Sequence, residues 1–195
     1  VQIMKTEKPT TKIIAGKYKG KILELPSLDV TRSSKARLKE SLFNVLQFDI
    51  IDKIFIESFA GSGSIGLEAI SRGAKRAYFV ELDRNSYQIL LKNCKAVDME
   101  KCQTVQGNTF VQTPLFINFL KNSQDEIVLY IDPPFDYRDG MEDIYEKSFT
   151  MIKNIEVDNI YMIIVEHVSS LEMPEILGKF SLNKTKNFGK SALSY

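Results

Sequence analysis

The hydrophobic positions from residue 53 onward follow two patterns that alternate along the chain. Short, nearly continuous apolar runs, typical of buried parallel strands, are separated by longer segments whose apolar residues recur at helical spacing. The predicted strands are residues 53–58, 76–82, 102–107, 126–132 and 160–167, with two more short strands near 179–186 and 190–195. The predicted helices are about residues 64–72, 84–97, 109–122 and 139–153. This alternation predicts parallel βαβ units in an open, doubly wound, mostly parallel sheet of seven strands.

The pattern before that point is different. Residues 12–26, KIIAGKYKGKILELP, contain short apolar segments broken by two glycines. This predicts a small β-rich extension with basic residues in its turn. A helix is predicted over about residues 35–47, with Ser33 or Ser34 as its cap.

Composition limits the possible classes of protein. The chain has 195 residues, 44% of them hydrophobic, which is enough for one sizeable core. We therefore expect an extension over residues 1–30 and one main domain over residues 31–195. No apolar run is long enough to span a bilayer, and the first residues lack the hydrophobic centre of a secretory signal. Cys94 and Cys102 match neither a zinc pattern nor a disulfide framework, which indicates reduced thiols in a cytoplasmic protein without a bound metal.

The net charge of +1 hides an uneven distribution. Residues 1–44 contain ten Lys and Arg against four Asp and Glu, a balance of +6, so the rest of the chain carries −5. A basic front end on a nearly neutral protein suggests contact with a polyanion, although a solvated charged face would have the same charge. Arg37 and Lys39 lie off the apolar face of the predicted helix, where we expect them to be free to meet solvent or a ligand.

Polar and Gly-rich segments follow the carboxyl ends of the predicted strands, which is where doubly wound sheets bind ligands. ESFAGSGSIG, residues 57–66, forms a Gly-rich turn after the first strand of the sheet, and its glycines let the backbone approach a ligand closely. Glu81 ends the next strand 20 residues after Gly61, where a carboxylate can accept hydrogen bonds from ribose hydroxyls. Asn108 follows the third strand, where its side chain could contact the edge of an adenine ring. These signals predict a nucleoside cofactor, but they do not separate NAD from S-adenosylmethionine.

The residues at the end of the fourth strand help to distinguish between these two cofactors. Asp132, Pro133, Pro134 and Phe135 follow the run IVLYI. The two prolines fix the backbone and remove N–H donors, so the Asp132 carboxylate and the carbonyl oxygens are presented as acceptors. Phe135 offers a flat face on which a base can stack. Such a site suits a planar amine or an amide, because hydrogen bonds from its protons direct the nitrogen lone pair towards an incoming methyl group.

Together, FAGSGSIGLEAISRGA, VELD and DPPF resemble the S-adenosylmethionine-dependent amino methyltransferases. The front end, KIIAGKYKGKILELP followed by TRSSKARLKESLFNVL, is similar to the bacterial family that methylates guanine N2 of 16S rRNA, and the similarity covers about residues 12–195. The resemblance implies a Rossmann-like class I methyltransferase fold, methyl transfer from S-adenosyl-L-methionine, and release of S-adenosyl-L-homocysteine. It also implies a nearly assembled 30S subunit as substrate, with ribosomal proteins as part of the recognised surface.

The resemblance also assigns roles to individual residues. The implied cofactor-binding residues are Glu57, Phe59, Ala60, Gly61, Ser62 and Gly63 at the amino-acid end, Glu81 at the ribose, Asn108 near the adenine, and Leu82. The implied catalytic residues are Asp132, Pro133, Pro134 and Phe135, with Asp132 and the Pro133 carbonyl holding the amine and Phe135 stacking on the guanine. The residues implied to grip RNA phosphates are Lys17, Lys19, Lys21, Arg32, Arg37 and Lys39.

Other functions stay open at this point. A nicotinamide-dependent oxidoreductase would use Gly61, Gly63 and Gly66, but DPPF counts against it. A catalytically silent RNA-binding module would keep the fold, but the intact Asp132 counts against that. An adenine N6 or a glutamine amide also fits the chemistry of DPPF. The basic front end disfavours the amide, and only the resemblance favours guanine over adenine.

Overall fold

The computed structural model describes residues 7–26, 32–134 and 143–195. The strands are β1 (Thr10–Lys12), β2 (Ile22–Glu24), β3 (Ile54–Ser58), β4 (Arg76–Glu81), β5 (Cys102–Gln106), β6 (Ile127–Ile131), β7 (Ile160–Val168), β8 (Ile176–Leu177), β9 (Phe180–Ser181), β10 (Thr185–Phe188) and β11 (Ser191–Ser194). The helices are α1 (Arg32–Val45), α2 (Ser64–Ser71), α3 (Arg84–Val97), α4 (Thr109–Phe119) and α5 (Ile144–Lys153). A short 3-10 turn, Met99–Lys101, precedes β5.

Seven of these strands form one twisted sheet in the order β10-β11-β7-β6-β3-β4-β5. The five strands β3 to β7 pair in parallel, whereas β11 runs antiparallel to both β7 and β10. The predicted seven-stranded, mostly parallel α/β fold is therefore confirmed. The strand order reverses between β3 and β6, which places a topological switch point at their carboxyl ends.

The alternation of side chains along the strands divides the core into two layers. In β3, Phe55 packs on one face of the sheet with residues of α1, α2 and α3. Ile54 and Ile56 pack on the opposite face with residues of α4 and α5. Both faces of β3 and β6 are buried, so these strands form continuous apolar runs in the sequence rather than alternating ones.

The predicted helices and the five predicted parallel strands are present, with shifted ends. The strand predicted near residues 179–186 is instead two short strands, β9 and β10, and β9 pairs with β8 outside the main sheet. Asp83 begins α3 as its cap, because its carboxylate accepts a 2.8 Å hydrogen bond from Ser86 N. The cap predicted for α1 is wrong, because the helix begins at Arg32 and both Ser33 and Ser34 lie inside its first turn. A capping residue must lie just outside the helix, where its side chain can accept from the N–H groups of the first turn.

The N-terminal extension is an antiparallel hairpin of β1 and β2. Ile13 and Leu23 are fully buried in the same core layer as α1 and α2. Glu68, on α2, is also buried, and both of its carboxylate oxygens accept hydrogen bonds from Ile14 N at 2.9 and 3.0 Å. The boundary predicted at residue 30 lies outside the described residues and stays a prediction.

In residues 7–26, 32–134 and 143–195, no helix combines the length and the apolar character needed to cross a membrane. Cys94 and Cys102 are buried free thiols, in agreement with the expectation of no disulfide between them.

Candidate active site

Two cavities open at the topological switch point, with volumes of about 390 and 690 Å³. The smaller cavity lies between the N-terminal hairpin, α1 and the turn after β3. The larger cavity lies beyond the ends of β4 and β5 and reaches the start of α5. Phe59 and Asp132 line both cavities. The arrangement therefore offers two adjoining binding spaces that meet at the carboxyl ends of β3 and β6.

The Gly-rich turn after β3 has the backbone that the sequence predicts. Gly61 and Gly63 have φ angles of 56° and 79°, in the left-handed region that favours glycine. A Cβ on Gly63 would lie 2.5 Å from Leu90 Cδ1, whereas a Cβ on Gly61 would meet nothing within 4 Å. Phe59 also has a positive φ, 60°, which is strained for a residue with a side chain. The turn thus packs closely on one side and leaves its backbone open on the other.

Glu57 is 3% exposed and accepts a 2.7 Å hydrogen bond from Gly66 N, in the first turn of α2. Burial raises the pKa of Glu57 to about 8, although this hydrogen bond and the neighbouring Lys39 act in the opposite direction. Glu57 also lines the smaller cavity. The carboxyl group can therefore hold the turn and face a ligand at the same time.

Glu81 lies at the end of β4, and its two carboxylate oxygens bind different parts of the backbone. Oε1 accepts from Gly61 N at 2.9 Å, and Oε2 accepts from Asp83 N at 3.0 Å. Each carboxylate oxygen has two lone pairs, so both can still accept from a ligand. Glu81 therefore positions the Gly-rich turn in addition to lining the larger cavity.

Leu82 and Asn108 lie on the walls of the larger cavity, and both are exposed. Leu82 is 66% exposed, an unusual degree for a leucine, and it offers an apolar surface beside Glu81. Asn108 caps α4, because its Oδ1 accepts a 2.8 Å hydrogen bond from Phe110 N. One wall of this cavity therefore carries an apolar side chain, a carboxylate and an amide that a ligand can contact.

Asp132 lies directly after β6, opposite the Gly-rich turn. Pro133 is buried and Pro134 is exposed on the wall of the larger cavity. Lys35 Nζ, on α1, lies 3.7 Å from Asp132 Oδ2, and 23% of the Asp132 side chain is exposed. Burial and the neighbouring Glu166 hold the pKa of Asp132 well above its ordinary value, and Lys35 offsets part of that rise. Phe135 lies outside the described residues, so its predicted role stays a prediction.

Sequence reasoning missed the group of side chains behind Asp132. Glu166, near the end of β7, is 1% exposed and accepts a 2.6 Å hydrogen bond from the hydroxyl of Tyr130. Lys35 Nζ lies 3.5 Å from the other Glu166 oxygen. The sequence signal was a charged residue inside the apolar run IYMIIVEH, which is unusual unless the charge has a partner.

A second missed residue, Asn93 of α3, joins the N-terminal hairpin to the Gly-rich turn. Its Oδ1 accepts from Glu24 N at 3.0 Å, and its Nδ2 donates to Glu24 O at 2.9 Å and to Ser62 O at 2.8 Å. Asn93 is 2% exposed, so these bonds form away from water. The basic hairpin is therefore connected to the turn by a buried amide.

The predicted RNA-binding residues separate into two groups. Lys17, Lys19 and Lys21 are exposed in the turn of the hairpin, and Arg37 is exposed on α1. For Lys39 the prediction is wrong, because the side chain is 4% exposed and Nζ donates a 3.1 Å hydrogen bond to Lys12 O. The hairpin covers this part of α1, and helical periodicity alone does not show that cover. The side chain of Arg32 lies outside the described residues.

Within the described part of the chain, no group of three or more His, Cys, Asp and Glu side chains could hold a metal ion. The polar side chains that line the two cavities include carboxylates, amides, hydroxyls and several basic groups. These groups suit a ligand with hydroxyl, amine and apolar parts, such as a nucleoside joined to an amino acid.

Comparison with known proteins gives a match over nearly the whole chain. The model of the family described as conserved hypothetical protein 95 matches residues 11–195. The chain is 31% identical over 183 residues to Ribosomal RNA small subunit methyltransferase D of Escherichia coli (strain K12), covering 93% of this chain and 86% of that protein. It is 38% identical over 133 residues to the protein of the same name from Haemophilus influenzae, covering 67% of this chain and 66% of that protein.

The fold is also similar to solved structures. A structure from Escherichia coli, described as a candidate methyltransferase, superposes with a TM-score of 0.71 and 28% sequence identity. The superposition covers 95% of this chain and 96% of that one. The similarity therefore includes the N-terminal hairpin region as well as the sheet.

Proposed function

Because the chain belongs to the family described as conserved hypothetical protein 95 and its relatives include proteins named as small-subunit rRNA methyltransferases, we propose that it methylates ribosomal RNA of the small subunit. The methyl donor is S-adenosyl-L-methionine, and the target is the exocyclic N2 amine of a guanine in 16S rRNA. The observation that carries this proposal is the position of Asp132, which lines both adjoining cavities at the switch point.

The cofactor is proposed to lie along the Gly-rich turn. Glu81 offers free lone pairs to the two ribose hydroxyls, and Asn108 and Leu82 line the space for the adenine. The open side of Gly61 allows close approach of the ligand to the backbone. Glu57 and the turn from Phe59 to Gly63 then face the amino-acid end.

The chemistry requires little more than a correctly placed amine. When bound, the cofactor supplies a methyl group on a positively charged sulfur. Asp132 accepts a hydrogen bond from one proton of the target amine, and the Pro133 carbonyl accepts from the other. These bonds oppose delocalisation of the nitrogen lone pair and point it towards the methyl group. The surplus proton passes from the nitrogen to solvent water as or after the new bond forms, so Asp132 acts mainly through its charge.

RNA is proposed to approach from the side of the N-terminal hairpin. Lys17, Lys19 and Lys21 form an exposed basic turn that can neutralise phosphates, and Arg37 is exposed on the neighbouring helix. A base inside an RNA stack cannot reach Asp132, so the guanine must be extruded into the site. The proposed substrate is 16S rRNA in a nearly assembled 30S subunit, with ribosomal proteins completing the recognised surface.

The test is single-turnover methyl transfer to 30S subunits isolated from cells that lack the gene, with mass spectrometry of the nucleoside product. Asp132→Asn keeps the shape of the side chain but weakens the acceptor, so the rate should fall by roughly 10²–10³. Asp158→Asn makes the same chemical change at a fully exposed position and should keep the parent rate.

The outcomes separate the parts of the proposal. Parent-like rates in both Asp132→Asn and Asp132→Ala would overturn the role of Asp132. N6-methyladenosine as the product would keep the mechanism but replace the target base. Transfer of no methyl group by the parent, together with binding of NAD, would overturn the proposed activity as a whole.

A further inference from the structure

Lys35 stands between two carboxylates at the proposed active site. Its Nζ lies 3.7 Å from Asp132 Oδ2 and 3.5 Å from Glu166 Oε1. The two acids belong to neighbouring parallel strands, β6 and β7, whereas Lys35 reaches them from α1. The position of Lys35 is not explained by packing alone, because 44% of its side chain is exposed.

The two carboxylates would share a proton without this ammonium group. Like charges at close range disfavour the ionised form of at least one carboxyl, and burial acts in the same direction. Glu166 is held as an acceptor by the Tyr130 hydroxyl at 2.6 Å. Asp132 has no such donor among the described residues, so it is the carboxyl expected to take up the proton.

A proton on Asp132 would defeat its proposed function. A carboxylate presents acceptor sites only, whereas a carboxylic acid also presents an O–H donor. That donor would compete with the protons of the target amine and would remove the negative charge that stabilises the developing positive charge on nitrogen.

We propose that Lys35 is a positioning residue that favours the ionised form of Asp132 beside Glu166, so that Asp132 can accept a hydrogen bond from the target amine. This role rests on the proposed function and adds to it a residue outside the DPPF stretch. Among the described residues, the charged and titratable groups that face Asp132 are Lys35 from α1, Glu166 from β7, Tyr130 from β6 and Glu57 from β3. Of these, Lys35 alone carries a positive charge.

The decisive variants are Lys35→Met, Lys35→Arg and the double variant Lys35→Met with Glu166→Gln. Methionine keeps the length and apolar stem of lysine but removes its charge, and arginine keeps the charge. The Glu166→Gln change removes the second negative charge, while the amide oxygen can still accept from Tyr130. Single-turnover rates are measured from pH 6 to 9 at saturating 30S subunits, so that weaker RNA binding does not contribute.

Lys35→Met should shift the acid limb of the pH–rate profile upward by at least about one pH unit, because an opposite charge at this range moves a carboxyl pKa by one to three units. The rate at pH 6 should fall by about tenfold or more, and the rate at pH 9 should approach the parent value. Lys35→Arg should have the same acid limb as the parent, and in the double variant the acid limb should return towards the pH of the parent. A loss that is equal at every pH, or no loss, would overturn the proposal.

A second measurement does not depend on RNA. In protein carrying ¹³C-labelled aspartate, the carboxyl signal that disappears in Asp132→Asn reports the titration of Asp132 directly. Its midpoint should rise in Lys35→Met and fall again in the double variant. If it does so while the parent methylates no 30S subunit, the proposed function fails and the electrostatic role of Lys35 stands. If the parent methylates but the midpoint does not move, the role of Lys35 is overturned.

Discussion

Replacing Glu57 by glutamine should change how the stability of the protein depends on pH. Burial raises the pKa of Glu57 from its ordinary value of 4.5 to about 8 in the folded protein. In the unfolded chain the same carboxyl is surrounded by water and loses its proton near its ordinary value. Between these two pH values the folded protein therefore holds one more proton than the unfolded chain.

The sign of the effect follows from proton linkage. Stability falls as the pH rises wherever the folded state binds more protons than the unfolded state. The contribution of Glu57 is therefore fully present below about pH 4.5 and is lost as the pH rises towards 8. A difference of about 3.5 pKa units corresponds to about 5 kcal/mol, and water entering the adjoining cavity would reduce this amount.

Glutamine is a close match for the protonated form of Glu57. Its amide oxygen can accept from Gly66 N, as Glu57 Oε2 does at 2.7 Å, and it carries no titrating proton. Glu57→Gln should therefore resemble the parent at pH 5 and exceed its stability by about 2–5 kcal/mol at pH 8.

Urea unfolding followed by circular dichroism at pH 5, 6, 7 and 8 gives this difference directly. Asp132, whose pKa is also raised by burial, is present in both proteins and largely cancels from the comparison. Glu100→Gln makes the same change at an exposed position and should track the parent at every pH. Parallel curves for Glu57→Gln and the parent would mean that Glu57 is ionised in the folded protein, paired with Lys39, and would refute the reasoning.

Three further changes test the cofactor site, the RNA surface and the link between them. Glu81→Ala removes the acceptor for two backbone N–H groups and for the ribose, and hydrogen bonds to such a charged group are worth roughly 1.5–3 kcal/mol. Calorimetry should therefore show at least about tenfold weaker binding of S-adenosyl-L-homocysteine. Unchanged binding would refute the assignment of Glu81 to the ribose. Replacing Lys17, Lys19 and Lys21 together by Ala should lower the log–log salt slope of RNA binding by about 0.7–0.9 for each lost phosphate contact, and an unchanged slope would place the RNA elsewhere. Asn93→Ala removes the partner of three backbone groups, two of them part-buried and one buried, and should lower the free energy of unfolding by about 1–3 kcal/mol in urea titrations. A neutral effect would mean that water replaces the amide.

The sequence by itself determined which segments form the parallel strands and which polar residues follow their carboxyl ends. The apolar runs of β3, β4 and β6 are nearly continuous because both faces of these strands are buried over most of their length, and such runs can be read without coordinates. Gly61 and Glu81 could be connected from their spacing, because parallel strands in a βαβ unit end at the same edge of the sheet. The structure agrees, since the Glu81 carboxylate accepts a hydrogen bond from Gly61 N.

The tertiary structure alone decided which charged residues are buried and which acids share a site. Lys39 and Arg37 both lie off the apolar face predicted for α1, but the N-terminal hairpin covers Lys39 and leaves Arg37 exposed. Lys35 and Glu166 are 131 residues apart in the chain, and no local pattern relates them. Helix and strand periodicity depends on neighbours a few residues away, whereas burial and charge pairing depend on which distant segments pack together. For that reason the positions of the Gly-rich turn, Glu81 and Asp132 at one edge of the sheet could be predicted, and their electrostatic surroundings could not.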